Sequence, residues 1–226
     1  CDRRQRQMCI RDRFLTAQLF KLMVDEDERC FEDMRIVSVG GEKVSAKHFY
    51  KAALACPKAK IINAYGPTEI VSIGVEYVLD PSGEELDNIP IGKPDAHHTC
   101  YVLDRNLHLC PKGVLGELYI GGEIGRGYYG RTDMTKERFI SNPYRPDEII
   151  YKTGDIVSVT ADGTIVYVGR EDDQVKIRGF RIEAGEIENV LQNCEGISQG
   201  FVKIVKNEAG EWRIWAVSYT HLRAHE

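Results

Sequence analysis

The chain predicts an α/β fold: a parallel sheet with helices first, an antiparallel β region next, and a small α+β portion last. Three observations carry that expectation. Strand-like and helix-like apolar patterns alternate up to about residue 70, and from Ile70 to about Gly169 short strand patterns are parted by turn clusters. After a polar joint at Glu171-Asp172-Asp173 come a strand, a helix and a hairpin.

Each element follows from its own pattern. Leu15, Leu19, Leu22 and Met23 recur at helical spacing, and Met34 to Val39 reads as a buried strand ending in Gly40-Gly41-Glu42. Ser45 is placed to cap a helix with Phe49, Ala52, Ala53 and Cys56 on one face, stopped by Pro57. Lys60 to Ala64 is the next strand. The turns of the β region are Asp80-Pro81-Ser82-Gly83, Pro111-Lys112-Gly113 and Ala161-Asp162-Gly163. In the last portion Ile187, Val190, Leu191 and Cys194 align on a helix, and Asn207 to Gly210 turns a hairpin.

Composition excludes several classes. With 42% hydrophobic and 29% charged residues, the 226-residue chain is neither disordered, collagen-like nor coiled coil. A net charge of -5 argues against nucleic acid, whose phosphates are met by clustered Lys and Arg. No apolar run is long enough to cross a bilayer, so no membrane partner is expected. Seven cysteines without a CxxC pair suit free thiols, which makes a cytoplasmic location the expectation. Residues 1–13, rich in arginine, and 217–226 (VSYTHLRAHE) resemble translated library-adapter sequence and are set aside from the fold. On that reading, the chain is an internal fragment of a longer protein.

The most specific run is Asn63-Ala64-Tyr65-Gly66-Pro67-Thr68-Glu69. Tyr65 offers a flat face for a purine, the Gly-Pro turn lets backbone approach a ligand, Thr68 has a hydroxyl for a phosphate oxygen, and Glu69 has a carboxylate for Mg²⁺. Alone, such a run is an ordinary turn. It is followed in order by Gly116-Glu117-Leu118-Tyr119-Ile120-Gly121-Gly122, Arg126-Gly127-Tyr128, Tyr151-Lys152-Thr153-Gly154-Asp155 and the run from Gly169 to Glu188. With these, the chain resembles the adenylation domain of nonribosomal peptide synthetases, within the adenylate-forming superfamily of acyl-CoA synthetases and luciferases.

The resemblance implies an internal fragment of that fold: an α/β sheet part, a distorted antiparallel β-barrel part over about 76–169, and the start of a small α+β C-terminal subdomain. Residues 14–170 would belong to the large subdomain and 171–216 to the small one. It implies nucleotide contacts from Gly40, Gly41, Glu42, Asn63, Ala64, Tyr65, Gly66, Thr68, Asp155, Tyr167 and Arg170. Tyr65 would stack on adenine, Thr68 touch the α-phosphate, Glu69 hold magnesium, and Asp155 accept from both ribose hydroxyls. Thr68 and Glu69 are the catalytic candidates. Asp172 matches the hinge residue, and Lys176 and Gly179 the face that serves the second step. Ala184 stands where a leucine is more usual, a change the core tolerates. Ser38, Gly40, Ala64, Ser72 and Ile73 match pocket positions; being small or neutral, they suit a bulky neutral side chain.

The function implied is ATP-dependent activation of an amino acid as its adenylate. Transfer to a phosphopantetheine thiol on a peptidyl carrier domain follows, with Mg²⁺ as cofactor and a condensation domain in the parent chain. A stand-alone carboxylate ligase, such as a D-alanine-carrier ligase or acyl-CoA synthetase, is the alternative within enzymes. A degenerate nucleotide-binding module is the alternative outside them. Gly122, Gly125 and Gly127 have the wrong order for a dinucleotide fingerprint, and Gly92-Lys93-Pro94 lacks the residues of a phosphate loop. His97-His98 with Cys100 and Cys110 is not read as a zinc cluster, because adjacent residues of a strand face opposite ways. His48 reads as a helix-surface residue, Asp25 to Glu28 as a solvated helix end, and Cys56 and Cys194 as core. The resemblance places a phosphate loop upstream of Phe14 and a catalytic lysine downstream of Val217, and Lys203 and Lys206 come too early to replace that lysine. The isolated 226-residue chain is therefore expected to show no amino-acid-dependent exchange of pyrophosphate into ATP; measurable turnover would overturn this.

Overall fold

The computed structural model describes residues 11–71, 73–171, 175–177, 180–207 and 212–220, with backbone alone at 175, 176, 180 and 181. The chain divides into two compact units, Cys1–Glu171 and Asp172–Glu226.

The first unit opens with strand β1 (Asp12–Thr16), helix α1 (Ala17–Glu26), β2 (Ile36–Gly40), helix α2 (Ala46–Ala55) and β3 (Lys60–Tyr65). The three strands are parallel, and β4 (Val75–Val78) and β5 (Lys93–Pro94) extend the same sheet antiparallel. Alternation sends Val37, Val39 and Ile61 into the core with Phe20, Val24, Phe31, Phe49, Ala52, Ala53 and Cys56. Phe20 stacks on Phe31 at 5.5 Å and tilts against Phe49 at 5.1 Å.

Local sequence corrects two expectations here. Thr16 caps α1 by accepting from Leu19 N–H, so Leu15 belongs to β1 and the inward face is Phe20 and Val24, while Leu19 and Leu22 are exposed. His48 is buried rather than on the helix surface. Ser45 stands at the N-cap of α2, but its hydroxyl meets His48 Nδ1 at 2.7 Å instead of capping backbone, and His48 Nε2 meets Asp25 Oδ1 at 3.0 Å. The imidazole thus fastens the start of α2 to the acidic end of α1.

The second sheet is antiparallel throughout. It orders β10 (Ile165–Arg170), β9 (Arg145–Val159), β7 (Gly116–Gly122) and β6 (His98–Leu103), with β8 (Phe139–Asn142) also on β9, and helix α3 (Thr132–Arg138) precedes β8. Leu118, Ile120, Tyr151 and Val157 fill its core. Among the described strands the sheet is open rather than a closed barrel: β6 and β10 stand at opposite edges, and β10 meets the loop before β5 through the bridge Gly92↔Ile165 and the Asn88 amide, which donates to Tyr167 O at 3.2 Å. Val75–Val78 and Lys93–Pro94, within the range expected for the barrel part, pair instead in the first sheet. Gly122 ends β7 at φ +99°, where an added Cβ would lie 2.1 Å from His97 O, so only glycine fits.

In the second unit β11 (Val175–Ile177) and β12 (Phe180–Ile182) form a hairpin, followed by helix α4 (Ala184–Gln192) and the hairpin of β13 (Ile197–Lys206) and β14 (Trp212–Thr220). Helix α4 packs against β13 of the longer hairpin: Val202 is buried and its N–H donates to Glu188 Oε1 at 2.8 Å. Phe201, Trp215, Val217 and Tyr219 remain exposed. Cys194, expected in the core, is exposed, because α4 ends at Gln192 and the cysteine falls in the turn beyond. Cys56 is buried as expected. The strands run into both segments set aside above, Asp12 and Arg13 in β1 and Val217 to Thr220 in β14. Among the described residues, no helix is long and apolar enough to cross a membrane.

Phe20 joins α1, α2 and the first sheet, so Phe20→Ala should destabilise the chain by about 3–5 kcal/mol, read as a lowered urea midpoint at unchanged slope.

Candidate active site

Tyr65 is the last residue of β3, and the chain leaves the sheet there through Gly66-Pro67 into a 3-10 turn at Thr68–Ile70. Ile70 is fully buried and anchors the turn; Thr68 stays exposed and Glu69 is carried inward. The backbone O of Glu69 accepts from Gly125 N–H at 2.7 Å, and its Oε1 accepts from the Tyr128 hydroxyl at 2.6 Å. Tyr128 is itself held, its N–H donating to Thr135 Oγ1 at 2.9 Å and its ring lying edge-on to Phe139. Val71, next in the chain, sits at φ +66°, a strained conformation for a β-branched residue beside the turn.

Asp155 comes to the same end of β3 from the other sheet. Two irregularities aim it. In the β7–β9 ladder Glu117 pairs with Ile156 and Tyr119 with Lys152, so Thr153, Gly154 and Asp155 all face Leu118. In the β9–β10 ladder the register shifts between Tyr167 and Gly169, which sets Arg170 opposite Asp155. Arg170 Nη1 then reaches Asp155 Oδ1 at 2.7 Å and Thr153 O at 3.2 Å, while the Tyr65 hydroxyl donates to Asp155 Oδ2. Burial of the phenol end, and next the Asp155 charge, push the Tyr65 hydroxyl well above the usual tyrosine range. It is therefore a donor at all ordinary pH.

The first sheet brings several other sequence-predicted residues together. Gly40 pairs with Ala64 at the strand ends, and a Cβ on Gly40 would lie 2.3 Å from Ala64 O. Ser38 lies two residues back on the same face, and Gly41 turns the chain at φ +88° ahead of Glu42. Asn63 is buried and its amide donates to Pro90 O at 2.7 Å, tying β3 to the loop before β5. Tyr167 lies on β10 and packs against the core of the second sheet. Ile73 is half-buried in the loop before β4. Ser72, Asp172 and Gly179 lie outside the described residues, and Lys176 is placed by its backbone in β11.

Residues given no role from sequence hold the site. Tyr128 and Tyr151, whose hydroxyls are 3.5 Å apart, lie beside Glu69, and Glu117 and Thr153 clasp the β9 bulge. The signal was their place inside the quoted motifs. His98, by contrast, is buried with its ring between Asp95 Oδ1 and Glu123 O, and His97 is exposed. Among the described residues no group of three or more His, Cys, Asp or Glu is placed to hold a metal. Burial pushes the Cys100 thiol up to about 12, leaving it inert near neutrality.

Replacing Tyr65 by Phe should cost about 1 kcal/mol near pH 7, because one donor to Asp155 is lost while Arg170 stays. The raised folded pKa means the unfolded tyrosine ionises first as pH rises past about 10. Wild-type stability should then fall relative to Tyr65→Phe, so urea midpoints of the two should converge between about pH 8 and about pH 11.

The chain matches the family model described as AMP-binding enzyme over residues 8–129. It is 41% identical over 216 residues to surfactin synthase subunit 3 of Bacillus subtilis (strain 168), covering 94% of this chain and 17% of that protein. To tyrocidine synthase 3 of Brevibacillus parabrevis it is 42% identical, covering 88% of this chain and 3% of that one. An artificially fused adenylation–PCP di-domain NRPS from Klebsiella oxytoca, NpsA-ThdA, has a TM-score of 0.81 at 30% identity, over 99% of this chain and 42% of that one. The chain thus spans a small part of the curated relatives it matches. With the match over more than half its length, it belongs to the family of AMP-binding enzymes.

Proposed function

We propose that the chain is part of an adenylation domain of a nonribosomal peptide synthetase, which activates an amino acid with ATP and passes it to a carrier domain. The observation that carries this reading is the meeting of Tyr65, Asp155 and Arg170 at the end of β3, with Glu69 four residues on. A carboxylate presents two accepting oxygens, which suits the pair of adjacent hydroxyls that a ribose presents. The relatives named above, and the adenylation and carrier domains named for the solved neighbour, support the same reading.

In this reading Asp155 accepts from the ribose hydroxyls, Arg170 pairs with that carboxylate and fixes its orientation, and the Tyr65 ring lies along the adenine. Gly40 and Gly41 keep the backbone at the end of β2 open to the nucleotide and amino acid, while Glu42, Asn63, Ala64, Gly66 and Tyr167 shape its surroundings. Thr68, exposed on its turn, donates to the α-phosphate. Glu69 is the residue that would hold Mg²⁺. A single carboxylate suits that ion, because Mg²⁺ on a nucleotide takes one or two protein carboxylates and draws its other oxygens from phosphates and water. When bound, Mg²⁺ offsets charge on the phosphoryl oxygens. The substrate carboxylate attacks the α-phosphorus and pyrophosphate leaves; the carrier's phosphopantetheine thiol then attacks the acyl carbon and AMP leaves. Asp172 is the proposed hinge, Lys176 and Gly179 the proposed second-step face, and a condensation domain the proposed neighbour in the parent. Ser38, Gly40, Ala64, Ser72 and Ile73 would line a pocket for a bulky neutral side chain.

The full-length parent should exchange pyrophosphate into ATP with a neutral amino acid, and Asp155→Ala should raise the KM for ATP at least about tenfold. Absence of exchange with every amino or aryl acid would overturn the function, and preference for Asp, Glu, Lys or Arg would overturn the substrate class.

A further inference from the structure

The bulge in β9 leaves backbone groups that the ladder no longer pairs, and each is taken up by a particular partner. Gly154, at φ +77°, donates its N–H to Glu117 Oε1 at 2.9 Å, and its O accepts from Glu171 N–H at 3.0 Å. Asp155 N–H donates to Thr153 Oγ1 at 3.0 Å, and that hydroxyl donates to Leu118 O at 2.7 Å. Glu117 is buried on β7, and its second oxygen is fixed in turn, accepting from the Tyr119 hydroxyl at 3.1 Å and facing Lys152 Nζ at 3.5 Å. Burial, and then the Glu117 charge, raise the pKa of the Tyr119 hydroxyl, so it remains a donor. The carboxylate therefore cannot turn away from Gly154 without breaking two further contacts.

We propose that Glu117 is a positioning residue for the nucleotide site: by accepting the Gly154 N–H it holds the bulge that turns the Asp155 carboxylate toward Tyr65 and Arg170, and so toward a ribose. The inference rests on the reading of Asp155 as the ribose acceptor. Glu117 touches no substrate. Its effect on Asp155 passes through the peptide between Thr153 and Gly154, whose N–H it holds, which separates it from a residue that merely packs the sheet. Glutamine at this position would keep an acceptor for Gly154 N–H and donate to Tyr119, whereas alanine would leave that N–H with no partner.

The test titrates the 226-residue chain and its variants with AMP and with 2′,3′-dideoxy-AMP, taking the ratio of the two dissociation constants as the readout. Wild type should favour AMP by about tenfold, as two hydroxyls on a carboxylate warrant. Glu117→Ala should bring the ratio to within about twofold of one while dideoxy-AMP binding stays within about twofold of wild type, and Glu117→Gln should restore the preference. A wild-type ratio in Glu117→Ala would overturn the proposal. Equal loss for both nucleotides would also overturn it, since that marks general damage. Should wild type itself show no preference, or no measurable binding, the ribose reading of Asp155 fails for this chain. Amide hydrogen exchange then decides the positioning: faster exchange at Gly154 and Asp155 but not at Ile150 in Glu117→Ala supports the clasp, and unchanged exchange overturns it. Where the alanine variant does not fold, Glu117→Asp, which keeps the charge but draws the acceptor back by one methylene, gives the same two readouts.

Discussion

A buried carboxylate has to be paired, and in this molecule the need to pair Asp155 sets much of the arrangement around it. An uncompensated charge at this depth is penalised by several kcal/mol. The pairing is met from two directions, by Arg170 on the neighbouring strand and by Tyr65 from the other sheet. Neither contact would form with regular ladders. One bulge in β9 sets Thr153, Gly154 and Asp155 against Leu118, and another at Val168 brings Arg170 into register. Both of these departures from regular sheet lie where the two sheets of the first unit meet, and the hydroxyl of Tyr65 links them.

The Glu69 turn is a second solution to the same problem, a carboxylate carried inward on three residues. Ile70 supplies the apolar anchor, Gly125 N–H takes the backbone oxygen, and the Tyr128 hydroxyl donates to the side chain. The segment from Gly122 to Gly130 matters because it delivers both Gly125 and Tyr128 to that turn. Its glycines at positive φ, Gly122, Gly127 and Gly130, let it bend sharply enough to do so.

Much of the first sheet was legible because buried parallel strands and their helices write their faces into short apolar patterns. Val37, Val39, Phe49, Ala52 and Cys56 fell where periodicity placed them. The apolar pattern of α1 admits two stripes, and only the start of the helix after Thr16 selects Phe20 and Val24 over Leu19 and Leu22. The burial of His48 is not legible locally, because an imidazole carries no burial signal until a carboxylate from another helix is brought to it. The residues converging on Asp155 were named from motif resemblance, but the bulges that bring them together depend on register between strands far apart in sequence. Register leaves no local signature. For the same reason Glu117 passed as one residue of a motif without a job, and the break between the two sheets fell later in the chain than the turn pattern suggested.

The longer hairpin of the second unit has a practical consequence. Helix α4 packs against β13 and buries Val202, and the opposite side of the hairpin presents Phe201, Trp215, Val217 and Tyr219 to solvent on neighbouring strands. An aromatic and aliphatic surface of this kind governs colloidal behaviour: molecules meet through it more readily as salt screens their common negative charge. Preparations of the chain on its own should therefore be handled dilute and at low ionic strength. A charged residue at position 215 or 217 is the natural engineering choice for raising solubility, since it changes that surface on the side of the hairpin away from Val202.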